Sequence, residues 1–223
     1  VAMKILTISD EACPALWDYY MPGRLDEYDL IISCGDLSSK YLSFLVTMAK
    51  CPVLYVHGNH DTSYDRTPPE GCDCIDDALV VYNGIRILGL GGCLRYHPGD
   101  HQYTERQMAR RIAKLHWKIR RLGGIDIVVT HAPPMDVGDD EDPAHQGFEA
   151  FLELIELYKP KYLLHGHVHP EYNPYTGQKP VRELEYKGTK VINVYERFVL
   201  DLPDVEVPDK HKGQIIWKTK HKD

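Results

Sequence analysis

No apolar run in this sequence approaches the ~20 residues that a membrane helix needs, so no segment reads as membrane-spanning. The start also lacks a charged segment followed by an apolar core, the pattern of a secretory leader. Six cysteines are present (Cys13, Cys34, Cys51, Cys72, Cys74, Cys93), but without the spacing of a disulfide framework, and they read as reduced thiols. Excess positive charge is missing too. Lys and Arg number 26 against 33 acidic residues, a net charge of −7, so the molecular field does not recruit nucleic acid or anionic membrane. A polyanionic substrate would therefore need a local positive site. No Gly/Ser-rich linker and no internal repeat divides the chain. What remains is one medium domain, 1–208, with a lysine-rich tail at 209–223, expected in the cytoplasm. "MKILTIS" reads as a natural start behind Val1-Ala2.

Short apolar, β-branched runs recur along the chain: 4–9, 29–33, 53–57, 85–90, 125–130, 161–165, 190–194 and 197–201. Several are continuous rather than alternating, which suits strands covered on both faces. Between them the spacing predicts helices. Residues 104–122 open with Thr104 and Gln107 in capping-box spacing and close on Gly123-Gly124. Residues 147–158 form a second amphipathic helix before Pro160, and 37–50 a third. The mixture predicts an α/β domain that is not purely parallel. Residues 62–78 and 132–146 are long polar loops of the kind that line sites.

The informative residues stand where strands stop. The run at 4–9 leads into Asp10, 29–33 into Gly35-Asp36, and 53–57 into Gly58-Asn59-His60-Asp61. The run at 125–130 leads into His131, and 161–165 into Gly166-His167-Val168-His169. Taken singly, Asp10 or Asp36 would be a helix cap or turn former, Asn59 a turn residue and His131 a loop histidine. Taken together, carboxylates, a carboxamide and imidazoles at one rim of an open α/β sheet make a metal site.

These blocks ("SDEA", "CGDL", "HGNHD", "THAPP", "HGHVH") resemble those of the calcineurin-like metallophosphoesterases, over residues 4 to about 195. The resemblance implies an α-β-β-α sandwich of two mixed sheets flanked by helices, with two divalent ions at the strand ends. Mn²⁺ and Fe²⁺ suit the ligands, and Zn²⁺ is compatible. Asp36 would bridge the ions, Asn59, His131 and His167 would complete one, and Asp10 and His169 would hold the other. Hydroxide between the ions would attack phosphorus, and His60 would assist the leaving oxygen. Asp61 would fix the loop. A phosphodiester is preferred to a monoester as substrate on the resemblance alone.

One expected ligand is missing. The family's histidine two positions after Asp10 is here Ala12, which leaves Asp10, Asp36 and His169 for the first ion. Extra waters could complete it, Glu11 or Cys13 could substitute, or the ion could arrive only with substrate; His97 or His101 could also serve. A non-catalytic or single-metal scaffold that binds a protein partner is the alternative reading. Elsewhere, Arg95 and Tyr96 are candidate substrate contacts, with Arg95 placed to clamp a second phosphate. The helix at 104–122 carries Arg106, Arg110, Arg111, Lys114, Lys118, Arg120 and Arg121 against Glu105. That face is either solvated or a docking surface for RNA, DNA or an acidic partner.

Overall fold

The computed structural model describes residues 2–170, 181–203 and 215–217. In chain order the first strands are β1 (Met3–Ile8), β2 (Leu30–Ser33), β3 (Val53–Tyr55), β4 (Asp73–Cys74), β5 (Ala78–Tyr82) and β6 (Ile85–Leu90). Then come β7 (Cys93–Leu94), β8 (Gln102–Tyr103), β9 (Ile127–Thr130) and β10 (Tyr162–His165). The last are β11 (Glu183–Tyr186), β12 (Thr189–Asn193), β13 (Phe198–Leu202) and β14 (Ile215–Trp217). The helices are α1 (Ser39–Met48), α2 (Glu105–Leu122) and α3 (Glu149–Tyr158).

Two large mixed sheets form the centre, ordered β13-β1-β2-β3-β4 and β11-β12-β10-β9-β6-β5-β14. Neighbouring residues of one strand face different layers, and this produces the sandwich. Ile5, Ile32, Leu54, Ile87, Val129 and Leu164 pack between the sheets. Their neighbours Leu6 and Ile31 face Tyr41, Leu42 and Leu45 of α1. Leu88, Val128 and Leu163 face Met108 and Leu115 of α2 and Phe151 and Leu154 of α3. Covered on both sides, such strands must be apolar without alternation. The architecture is helix, sheet, sheet, helix.

The helix ends follow their local chemistry. Thr104 and Gln107 make the reciprocal capping box, and Gly123 ends α2 in the left-handed conformation at φ 78°. Helix α1 starts at Ser39 because the Ser38 hydroxyl caps it. Helix α3 starts at Glu149, two residues later than the spacing suggests, because Phe148 is extended and bridges Pro134, its N–H donating to Pro133 O. Its exposed N-terminus is served from α2: the Glu105 carboxylate accepts from Glu149 N–H at 2.8 Å and Ala150 N–H at 3.2 Å.

Strand β5 is absent from the pattern of runs above, although its turn is encoded. Asn83 and Gly84 take φ 48° and 79°, the two left-handed residues of a tight hairpin turn, and pair β5 with β6. Lys187-Gly188 does the same for β11 and β12. Within the lysine-rich terminus, Ile215–Trp217 pairs antiparallel with β5; 209–214 and 218–223 lie outside the described residues.

The basic face of α2 loses one member. Arg111 is buried: its Nε donates to Asp77 at 2.7 Å, its Nη1 to Gly91 O at 2.7 Å, and its guanidinium lies 4.2 Å over the Tyr103 ring. It is a strut between α2 and the loops beneath, whereas Arg106, Arg110, Lys114, Arg120 and Arg121 are exposed.

Candidate metal centre

The carboxyl ends of β1, β2, β3, β9 and β10 meet at one rim, because the two sheets stack with these strands central. Asp10, Asp36 and His167 all hold positive φ (66°, 56° and 67°), a cost that turns each side chain back over its strand end. Backbone contacts lock the rim. Asp10 N–H donates to Gly35 O at 3.1 Å, and the Asp10 carboxylate accepts His167 N–H at 3.0 and 3.1 Å, joining the sheets. Asp61 accepts from Gly58 N–H at 2.7 Å and Asp36 N–H at 2.8 Å, and so fixes the Asn59 loop against β2. Behind that loop, Asp76 holds His57 Nδ1 at 2.5 Å and Gly91 N–H at 2.7 Å.

The imidazoles are oriented by carbonyls, which can only accept. His131 Nδ1 therefore carries a proton to Cys34 O at 2.7 Å, and its Nε2 faces Asn59 Oδ1 at 3.0 Å and Asp36 Oδ2 at 3.3 Å. His167 Nε2 donates to Ala144 O at 2.6 Å, which leaves Nδ1 with the lone pair. Asp36, His131 and His167 bring ligand atoms within 4.8 Å of one another. His169 Nε2 stands 3.7 Å from Asp10 Oδ1, too long for a hydrogen bond. Two ligands about 2.0–2.2 Å from a shared ion stand roughly 3–3.7 Å apart, so the Asp36–His131 and Asp10–His169 pairs both fit a divalent cation. The donors are oxygen and imidazole nitrogen, the set that Mn²⁺, Fe²⁺ and Zn²⁺ accept.

The electrostatics agree with that fit. Burial opposes ionisation of Asp36, but the charge and hydrogen bond of His131 and the N–H of His60 bring its carboxyl down to about 2. Burial likewise opposes protonation of His131, yet Asp36, then Asp10, raise it to about 9. A proton on His131 Nε2 thus lies between two acceptors, Asn59 Oδ1 and Asp36 Oδ2, that a cation would draw on in its place. Burial and the His131 charge push His167 down to about 3, and burial raises Asp10 and takes Asp61 to about 6.

A cavity of ≈ 300 Å³ opens over this cluster, lined by Asp10, Asp36, Asn59, His60, Tyr96, Ala144, His145, His167 and His169. His131 lies beneath it, fully buried. His60 is exposed, with its N–H on Asp36 Oδ1 at 2.8 Å. The Tyr96 hydroxyl accepts from Asn59 Nδ2 at 3.4 Å, which turns Oδ1 of that amide toward His131. Arg95 is not among the lining residues. Its guanidinium donates to Gln102 O and Gln107 Oε1, both at 3.2 Å. His145 went unread in the sequence because it sits in the polar loop 132–146, outside every strand-end block; its one signal is that loop's length.

A family model described as calcineurin-like phosphoesterase matches residues 6–171. The chain is 23% identical over 172 residues to the UPF0046 protein K07C11.7 of Caenorhabditis elegans, covering 65% of this chain and 57% of that one. It thus spans little more than half of that relative's length. The solved structure of TT1561 of Thermus thermophilus shares the fold, with a TM-score of 0.57, 16% identity, and coverage of 88% of this chain and 90% of that one.

Proposed function

Because the chain belongs to the calcineurin-like phosphoesterase family, whose chemistry is metal-dependent phosphoester hydrolysis, we propose that it cleaves phosphodiesters in the strand-end cavity. Asp36 would sit between two divalent ions, with Asn59, His131 and His167 on one side and Asp10 and His169 on the other. Such ions would neutralise phosphoryl oxygens and lower the pKa of water. The protein's own share is orientation and proton supply. Cys34 O and Ala144 O hold His131 and His167 in the tautomers that present a lone pair inward. His60, exposed at the cavity wall, gives its proton to the departing oxygen.

One observation carries the preference for diesters: among the described residues that line the cavity, none is Lys or Arg. A monoester brings two negative charges and calls for a basic clamp, whereas a diester brings one. Tyr96 offers a flat apolar ring with a hydroxyl for the second ester arm. The test compares Mn²⁺-dependent hydrolysis of bis(p-nitrophenyl) phosphate and p-nitrophenyl phosphate. Higher kcat/KM on the diester, abolished in Asp36→Asn, supports the reading. Preference for the monoester overturns the diester assignment, and an inactive parent overturns the enzyme.

A further inference from the structure

We infer that His145 is a protein ligand of the ion on the Asp10 side, filling the place vacated where Ala12 stands; this rests on the metal-dependent reading above. The structure removes the other candidates. Ala12 packs against the apolar cluster of Leu16 and Tyr41. The Glu11 carboxylate is taken by the Tyr195 hydroxyl at 2.5 Å, and Cys13 is buried. His97 Nδ1 is engaged with Pro98 O at 2.9 Å, and the His101 ring stacks on His57 at 4.4 Å. None of these lines the cavity.

His145 does line it, between the imidazoles of His167 and His169. Its ring lies 5.0 Å from that of His167 and 6.5 Å from that of His169. The Asp142 carboxylate holds its Nδ1 at 2.7 Å, so that nitrogen carries a proton and Nε2 is the one available to an ion. A carboxylate behind an imidazole fixes the ring and makes its other nitrogen a better donor. The loop is already tied to the site, because the preceding residue's carbonyl accepts the His167 proton. Little ordering cost then remains for His145 to meet. A neutral imidazole is also the right addition electrically. Asp10 and Asp36 already carry two negative charges there, and a third carboxylate would weaken attraction for an anionic ester.

The experiment measures Mn²⁺ per chain by elemental analysis after dialysis, and both affinities by calorimetric titration with MnCl₂. The parent, His145→Ala and His145→Ala with Ala12→His are compared. The expected result is two ions in the parent. In His145→Ala one ion is kept and the other weakens at least tenfold, and Ala12→His restores it. Retention of both ions within twofold in His145→Ala overturns the inference. Loss of both also overturns it, since that would mean collapse of the loop on His167 rather than a missing ligand. A parent holding fewer than two ions overturns the binuclear reading itself, which separates the two failures.

Discussion

Replacing Gly58 by alanine would drive a methyl group into the carboxylate at the centre of the site. A Cβ built there meets Asp36 Oδ1 at 2.0 Å and Asp36 Cγ and N at 2.6 Å. Backbone atoms cannot swing away, and the carboxylate is held by His60 N–H at 2.8 Å and His131 Nε2 at 3.3 Å. Overpacking of this kind costs about 1–3 kcal/mol. Losing one charge-assisted hydrogen bond adds about 1–3 kcal/mol, so the variant should be about 2–6 kcal/mol less stable in urea denaturation. Displacing Asp36 by about 1 Å should lower Mn²⁺-dependent hydrolysis about a hundredfold. Gly188→Ala is the control. Nothing lies within 4 Å of its Cβ, but its φ is 84°, so it should lose about 1–2 kcal/mol and keep full activity. Hydrolysis by Gly58→Ala within twofold of the parent would refute the claim that this close approach sets the position of Asp36.

Two further perturbations probe the frame. Asp126 takes both Arg86 Nε and Nη2 at 2.8 Å, and against burial these contacts hold its carboxyl below the usual 3.8. A depressed folded value means the stabilisation is fully present above the unfolded value and is lost as pH falls through the folded one. Asp126→Asn should therefore cost about 1–2 kcal/mol at pH 7, with the gap to the parent closing in acid below pH about 4 in denaturant titrations. Glu105→Gln should cost about 0.5–1.5 kcal/mol by removing the charge that caps α3, with phosphodiester hydrolysis unchanged.

Much of this was legible because burial constrains residue type. Strands covered on both faces must be apolar throughout, so the polar residues that stop them (Asp10, Asp36, Asn59, His131, His167) stand out without any structure. The capping box at Thr104 and the glycine at 123 were equally local. Strand β5 escaped although its Asn83-Gly84 turn was there to be read, since five residues carry little periodicity of their own. Arg111 read as surface because a basic helix face does not reveal which side chain finds a buried carboxylate partner, and Asp77 lies 34 positions upstream. Arg95 stands outside the cavity lining for a similar reason, its guanidinium donating to Gln102 O and to Gln107 in the first turn of α2. His145 left no signal beyond the length of its polar loop. A loop places it, and the loop is held by a carbonyl contact to His167, beyond the end of β10.

The most direct test is a crystal soaked in Mn²⁺ and measured for anomalous scattering. The account predicts two peaks in the strand-end cavity, about 3.5–4 Å apart with Asp36 between them. One should touch Asn59, His131 and His167, and the other Asp10, His169 and His145. An empty cavity, or ions held only elsewhere on the chain, would contradict it.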